Sequence, residues 1–195
     1  MDIAQFVEDL WHEREIEDAL IRYCRGVDRR DMDLARSAYH TDAYDDHGTF
    51  AGSVDELVRW MERRHEHIWQ SMHCLGQIWI HLREHIAAVE SYCTAVSTLG
   101  PGAVDSRRRY IPDPEDDDGW PLQVTTFVRY LDRFELRDPG WRIAYRRVAL
   151  ETMRWQPVPE MLPPGASWSV RATRTSSDSS FDLFDEVLGE RRSWS

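Results

Sequence analysis

Apolar residues recur at helical spacing along the opening segment. Ile3, Phe6, Val7, Leu10 and Trp11 form one stripe; Ile16, Ala19, Leu20, Tyr23, Cys24 and Val27 form a second. Steps of three and four residues predict helix over both, with a break or phase shift near Glu13–Glu15. Asp31 is the predicted N-cap of a short helix in RRDMDLARSAY, which buries Leu34 and Ala38. DAYDDHGTFAG reads as strand or turn. In SVDE, Ser53 and Glu56 form a predicted capping box, opening a helix with Leu57, Val58, Trp60 and Met61 that runs to about Trp69.

From residue 71 the period changes. Segments 72–82 and 85–99, rich in Ile, Val, Tyr and Thr and separated by Arg83–Glu84, predict a hairpin. LQVTTFVRYLDRFEL and WRIAYRRVALETMRW predict two further long strands around a turn at Arg137–Gly140. Residues 100–119, with PDPEDDDG, read as a flexible excursion or lid, since a long structureless loop in a domain is usually functional. Helices followed by strands predict an α+β fold: a cone-shaped, curved antiparallel sheet wrapped on N-terminal helices, with a cavity at its open end suited to small molecules. Residues 1–156 form the expected domain. Residues 157–195 form a Pro/Ser-rich extension, irregular at first, with a short amphipathic helix at FDLFDEVLGERR that docks on its own domain or on a neighbouring subunit.

Composition narrows the function. The chain has 195 residues, 42% of them apolar, with nine Trp, seven Tyr and six Phe, enough to bury a core. Its formal charge of −11 argues against nucleic acid as partner. All 24 basic residues are Arg, so lysine Schiff-base chemistry and the Walker P-loop are excluded. No GxGxxG is present, and no asparagine. Cys24, Cys74 and Cys93 contain no CxxC, which argues against structural zinc and a disulfide framework. The acidic N-terminus lacks a signal pattern, and no apolar run reaches the roughly 18 residues of a membrane span. The expectation is a cytoplasmic protein without a membrane partner.

The eight histidines all lie within residues 12–85. HEREIE at 12–17 and HEH at 65–67 read as solvated helix faces. His40, Asp45, Asp46 and His47 read as turn polarity rather than as a metal site. Asp28 follows the apolar side Leu20–Tyr23–Cys24–Val27 and ends the first helix. It is either a water-accessible turn residue or a carboxylate that orients a histidine acting as general base. His73, opening a strand between apolar neighbours, is its best partner; the alternative is a satisfied core histidine.

RYCRGVDRRDMDLARSAYHTDAYDDHGTFAG, MHCLGQIWI, VESYCTAV and RYLDRFELRDPGWRIAYRRVALETMRW resemble the SnoaL-like branch of the nuclear transport factor 2-like superfamily, over residues 8–156. That branch includes scytalone dehydratase, hexachlorocyclohexane dehydrochlorinase and bile-acid 7α-dehydratase, which share elimination by an Asp–His pair without a cofactor. The resemblance places the family aspartate on Asp28, the histidine on His73 and a functional tyrosine on Tyr23. It places a second active-site tyrosine near His47, with Tyr44 close by, and an asparagine on Tyr130. The family's second histidine has no counterpart beyond His85, so scytalone is not the expected substrate. The implied function is a cofactor-independent lyase acting on a hydrophobic, aromatic or polycyclic small molecule. Water elimination is the leading reaction and retro-aldol cleavage the next. The alternatives are an isomerase or cyclase with the same dyad, or a non-catalytic binding or assembly subunit resembling the dioxygenase small subunit. On this reading Tyr23, Tyr44 or His47 polarises the leaving group. Arg147 is an anion partner or an outward surface arginine. Trp60, Trp79, Tyr92, Phe127 and Tyr130 line the pocket or pack the core. The family also implies a homodimer or homotrimer.

Overall fold

Asp2 caps the first helix, accepting from the Ala4 amide, and α1 runs unbroken over Ile3–Arg29. The computed structural model describes residues 2–158 and 171–189. The expected break near Glu13–Glu15 is absent. The first stripe (Ile3, Phe6, Val7, Leu10, Trp11) stays exposed while the second is buried, so the stripes need not share a face and their phase shift needs no kink. His12 is not a solvated residue either, because its Nδ1 accepts from Trp141 Nε1 at 2.8 Å.

Asp31 caps α2 (Met32–Arg36), as its position predicts, through the Leu34 amide at 3.0 Å. Gly26 lets the two helices meet: a Cβ there would stand 2.4 Å from the Ala35 nitrogen. β1 (Tyr39–Asp46) and β2 (Ala51–Ser53) lead into α3 (Val54–His65), which opens on the Ser53–Glu56 capping box. α3 ends at His65 rather than Trp69, and β3 (Ile68–Arg83) takes over.

The remaining strands are β4 (Ile86–Leu99), β5 (Leu122–Arg137) and β6 (Gly140–Pro157). The six strands form one sheet in the order β2-β1-β6-β5-β4-β3. It is mixed, not antiparallel as expected, because β1 returns beside β6 in the same direction. Register shifts between Leu75 and Ile78 and between Arg133 and Phe134 mark irregularities of the kind that bend a strand. The sheet curves without closing. Its concave face receives α1 and α3, with Ile16, Leu20, Tyr23, Leu57, Met61, Val89, Phe134 and Ile143 in the core.

Residues 100–119 are not the featureless excursion expected. They contain α4 (Val104–Arg107) and a 3₁₀ turn at Pro114–Asp116. Arg107 is buried, pairs with Asp117 and donates to the Trp120 carbonyl at 2.7 Å. Ala103 joins Ile68, Leu99, Leu122 and Val124 in a second small core. α5 (Ser179–Leu188) forms where the amphipathic pattern predicts it and lies against α1, with Arg25 over the Phe184 ring at 4.8 Å. Much of the expected irregular stretch, 159–170, lies outside the described residues, as do the final Glu-Arg-Arg residues of FDLFDEVLGERR. Among the described residues no helix is long and apolar enough to cross a membrane.

Candidate active site

Asp28 is the last buried residue of α1, and β3 crosses beside it with Ser71 and His73. The Asp28 carboxylate accepts from three donors: His73 Nδ1 at 2.6 Å, the Ser71 hydroxyl at 2.9 Å and the His73 amide at 2.8 Å. Burial of the carboxylate raises its pKa. The bond and charge of His73, its amide and Ser71 outweigh that, so the net shift is downward. Burial also lowers His73, but the bond to Asp28 and its charge prevail and the imidazole is shifted upward. With Nδ1–H donated to a carboxylate, Nε2 of the neutral ring carries the lone pair. The arrangement is that of an oriented general base.

A second aspartate–histidine pair lies nearby. Asp45 Oδ1 stands 3.0 Å from His47 Nδ1, and Tyr39 donates to Oδ2 at 2.8 Å. Burial raises Asp45; His47, Arg146 and Tyr39 together bring it below its usual range. Tyr23 lies between the pairs. Its ring centroid is 6.4 Å from each histidine ring, and its hydroxyl is 3.5 Å from His47 Nε2, at the outer limit of a hydrogen bond. Burial holds the Tyr23 hydroxyl protonated, well above its usual pKa. Trp60 stands 6.0 Å from His47 and 5.4 Å from Phe50.

Arg146 forms the floor of this cluster. Its guanidinium is fully buried and forked onto Asp132 at 2.8 and 2.7 Å, which holds it as a cation. It lies 4.1 Å from the Tyr130 ring and 4.5 Å from the Tyr23 ring. Among the described residues its buried Nη1 has no hydrogen-bond partner. Cys93 is buried on β4. The bond from Cys24 lowers its thiol most, and His73, Tyr130 and Arg146 add to that against burial, bringing it to about 6.

The structure thus brings together Asp28, His73, Tyr23, His47, Trp60 and Tyr130. It does not bring in Tyr44, Tyr92 or Arg147. Tyr44 is exposed and stacks on Tyr145. Tyr92 alternates outward between the buried Ser91 and Cys93. Trp79 is 72% exposed on the same outer side, and Phe127 packs with Arg154 rather than with the cluster. Arg147 is exposed and reaches Asp46 at 3.3 Å. Counting alternately from Trp141 and Ile143 would turn Arg147 inward. The register shift opposite Arg133 and Phe134 changes the parity of β6, so Arg146 turns inward instead. Arg146 was the residue missed, and the Arg-Arg doublet in an apolar strand was its one trace.

His40 bonds the Glu135 carbonyl, apart from Asp45 and His47. His65 does not belong to a solvated face: it is buried, beside Arg174. Among the described residues no group of three or more His, Cys, Asp or Glu is arranged to hold a metal.

A family model described as a SnoaL-like domain matches residues 8–147. No curated protein matches the sequence. Among solved structures, a hexachlorocyclohexane dehydrochlorinase of type 2 aligns with a TM-score of 0.65 at 13% identity, over 82% of this chain and 99% of its own. A scytalone dehydratase candidate from Novosphingobium aromaticivorans aligns at 0.60 and 16% identity, over 82% and 97%. A nuclear transport factor 2-like protein from Salmonella enterica aligns at 0.58 and 14% identity, over 82% and 99%. At these identities the likeness is one of fold.

Proposed function

Given that the chain belongs to the SnoaL-like domain family, we propose that it is a cofactor-independent lyase that eliminates water from a hydrophobic, aromatic or polycyclic hydroxy compound. The observation that carries this reading is the 2.6 Å bond from His73 Nδ1 to Asp28, which leaves the Nε2 lone pair as the base. Nε2 removes a proton from carbon. The electron pair forms the new C=C bond, the C–O bond breaks, and the departing oxygen takes a proton from Tyr23 or His47 to leave as water. Asp28 stabilises the imidazolium that forms. The unpartnered Nη1 of Arg146 suits a substrate oxygen that gains negative charge, because a fixed cation in a dry site stabilises such charge strongly. The two structural neighbours named for dehydratase and dehydrochlorinase activity support elimination as the reaction class.

The test is a panel of aromatic and polycyclic alcohols and diols incubated with the purified chain and read by mass spectrometry for loss of water. The same spectra report retro-aldol cleavage, for which His73 would take a hydroxyl proton instead. Turnover that D28N and H73A abolish supports the proposal. Turnover that survives both variants refutes it.

A second reading, a binding or assembly subunit, draws on the outer sheet face, where Met72, Trp79 and Tyr92 are exposed. It predicts a stable copurifying partner, with no turnover on any panel member.

A further inference from the structure

Arg174 lies beyond the residues matched by the family model, yet its side chain is buried at the end of the helix that carries Asp28. Nε donates to the Asp28 carbonyl at 3.0 Å and Nη2 to the Val27 carbonyl at 2.8 Å. Nη1 donates to the Ile68 carbonyl at 2.8 Å, and Nη2 also stands 2.7 Å from His65 Nδ1. These acceptors are the last turn of α1, the first residue of β3 and the last residue of α3. The final carbonyls of a helix have no partner within it and, once buried, need a donor. They also carry the negative end of the helix dipole, an unfavourable place for the Asp28 carboxylate unless a cation offsets it. His65 fits this arrangement. Burial, then the charges of Arg174 and Arg64, hold it well below its usual pKa, so its neutral Nδ1 is able to accept. The segment that presents Arg174 is itself anchored: Asp178 accepts from the Thr173 amide at 2.8 Å and pairs with Arg29 at 3.4 Å.

We infer that Arg174 is a positioning residue, clamping the last turn of α1 onto the start of β3 so that Asp28 meets His73. The segment from 171 onward is then a working part of the site. The inference rests on Asp28 and His73 being the reacting pair, but its test needs no substrate. NMR of the His73 ring in the full chain reads the pair directly, through its titration and its hydrogen-bonded Nδ1–H. Asp28 and Cys93 shift His73 upward and Arg174 shifts it downward, with Asp28 the stronger influence.

In R174M the clamp is lost, the Nδ1–H signal moves upfield or vanishes, and the His73 midpoint falls. A purely electrostatic role predicts the opposite sign, because deleting a nearby cation raises the midpoint. R174K keeps the charge without the planar fork and falls between R174M and the parent. An unchanged or raised midpoint in folded R174M overturns the inference. Where R174M does not fold, R174K carries the same reading, and loss of fold in both makes Arg174 a folding residue and overturns it too. With a turnover assay, kcat falls about ten- to hundredfold at nearly constant KM, the scale of a misplaced catalytic group. The NMR result without turnover in the parent chain upholds the clamp and removes the lyase reading.

Discussion

Tyr23 has an aspartate–histidine pair on each flank, and the two pairs are built differently. Asp28 and His73 are 45 residues apart and meet only because β3 crosses the end of α1. Asp45 and His47 are two residues apart at the end of β1 and pair through local geometry. The carboxylate of the first pair takes the backbone amide of its own histidine as well as the ring, which ties the imidazole to the strand. The second pair has the fully buried carboxylate, Asp45, but the more exposed ring, His47 at 21% against 10% for His73. A base must be dry, oriented and held in one tautomer, which fits the first pair. A group that delivers a proton and recovers it from water profits from access, which fits the second.

The harshest way to break this contrast is to remove each histidine in turn. H73A and D28N are expected to lower kcat by about 10²–10⁴-fold, the usual worth of a positioned general base, while the chain stays folded. H47A is expected to cost about tenfold, or about 1.4 kcal/mol of barrier. Steady-state kinetics on any substrate from the panel decides the matter. Equal losses from H47A and H73A would erase the division of roles.

The pH dependence follows from the shifts at the first pair. The base is active when His73 is unprotonated, so the rate rises with pH through a midpoint above the ordinary imidazole value of 6.5. Any residual activity of D28N has its midpoint moved down, since the largest upward influences are gone. Stability carries the complementary signature. Asp28 is depressed in the folded chain, so its contribution is present above its reference of 3.8 and is lost as pH falls through the depressed value. His73 is raised, so its contribution is present below 6.5 and is lost as pH climbs through the raised value. The stability gap between the parent chain and D28N is therefore widest between those two references and narrows on both sides. Urea denaturation across pH measures it.

The contrast also shows how much could be read before the structure. Helix stripes, the Asp31 cap, the Ser53–Glu56 box and the strand periods were legible because each is a local pattern. The parallel return of β1 beside β6 was not, because nothing in a strand's own residues names its neighbour. Asp28 and His73, 45 residues apart, could be matched from their apolar settings only as one of two readings, and the resemblance chose between them. Tyr92, expected in the pocket or core, faces outward by the simple alternation of β4. Arg146 needed the register shift, which one strand's sequence does not show. Arg107 and Arg174 were hidden for a different reason: an arginine in a loop reads as solvent-facing until its acceptors are known.

The gentlest test compares the hydroxyls that support the two carboxylates. Ser71 donates to Asp28 at 2.9 Å and Tyr39 donates to Asp45 at 2.8 Å, so S71A and Y39F each delete one neutral donor from a buried acceptor. The net loss of stability is about 1 kcal/mol in either case, a small step in urea midpoint. Their effects on the chemistry diverge. S71A removes one of the influences that depress Asp28 and a donor that shares Oδ1 with His73, leaving a stronger acceptor for the imidazolium and a His73 midpoint slightly higher. Y39F acts on Asp45 and leaves the His73 midpoint where it was, since Asp45 is not among the groups that set it. Two variants of matched stability, only one of which moves the pH–rate profile, would locate the base in the fold-assembled pair. A profile displaced by Y39F instead would transfer that role to the pair at the end of β1.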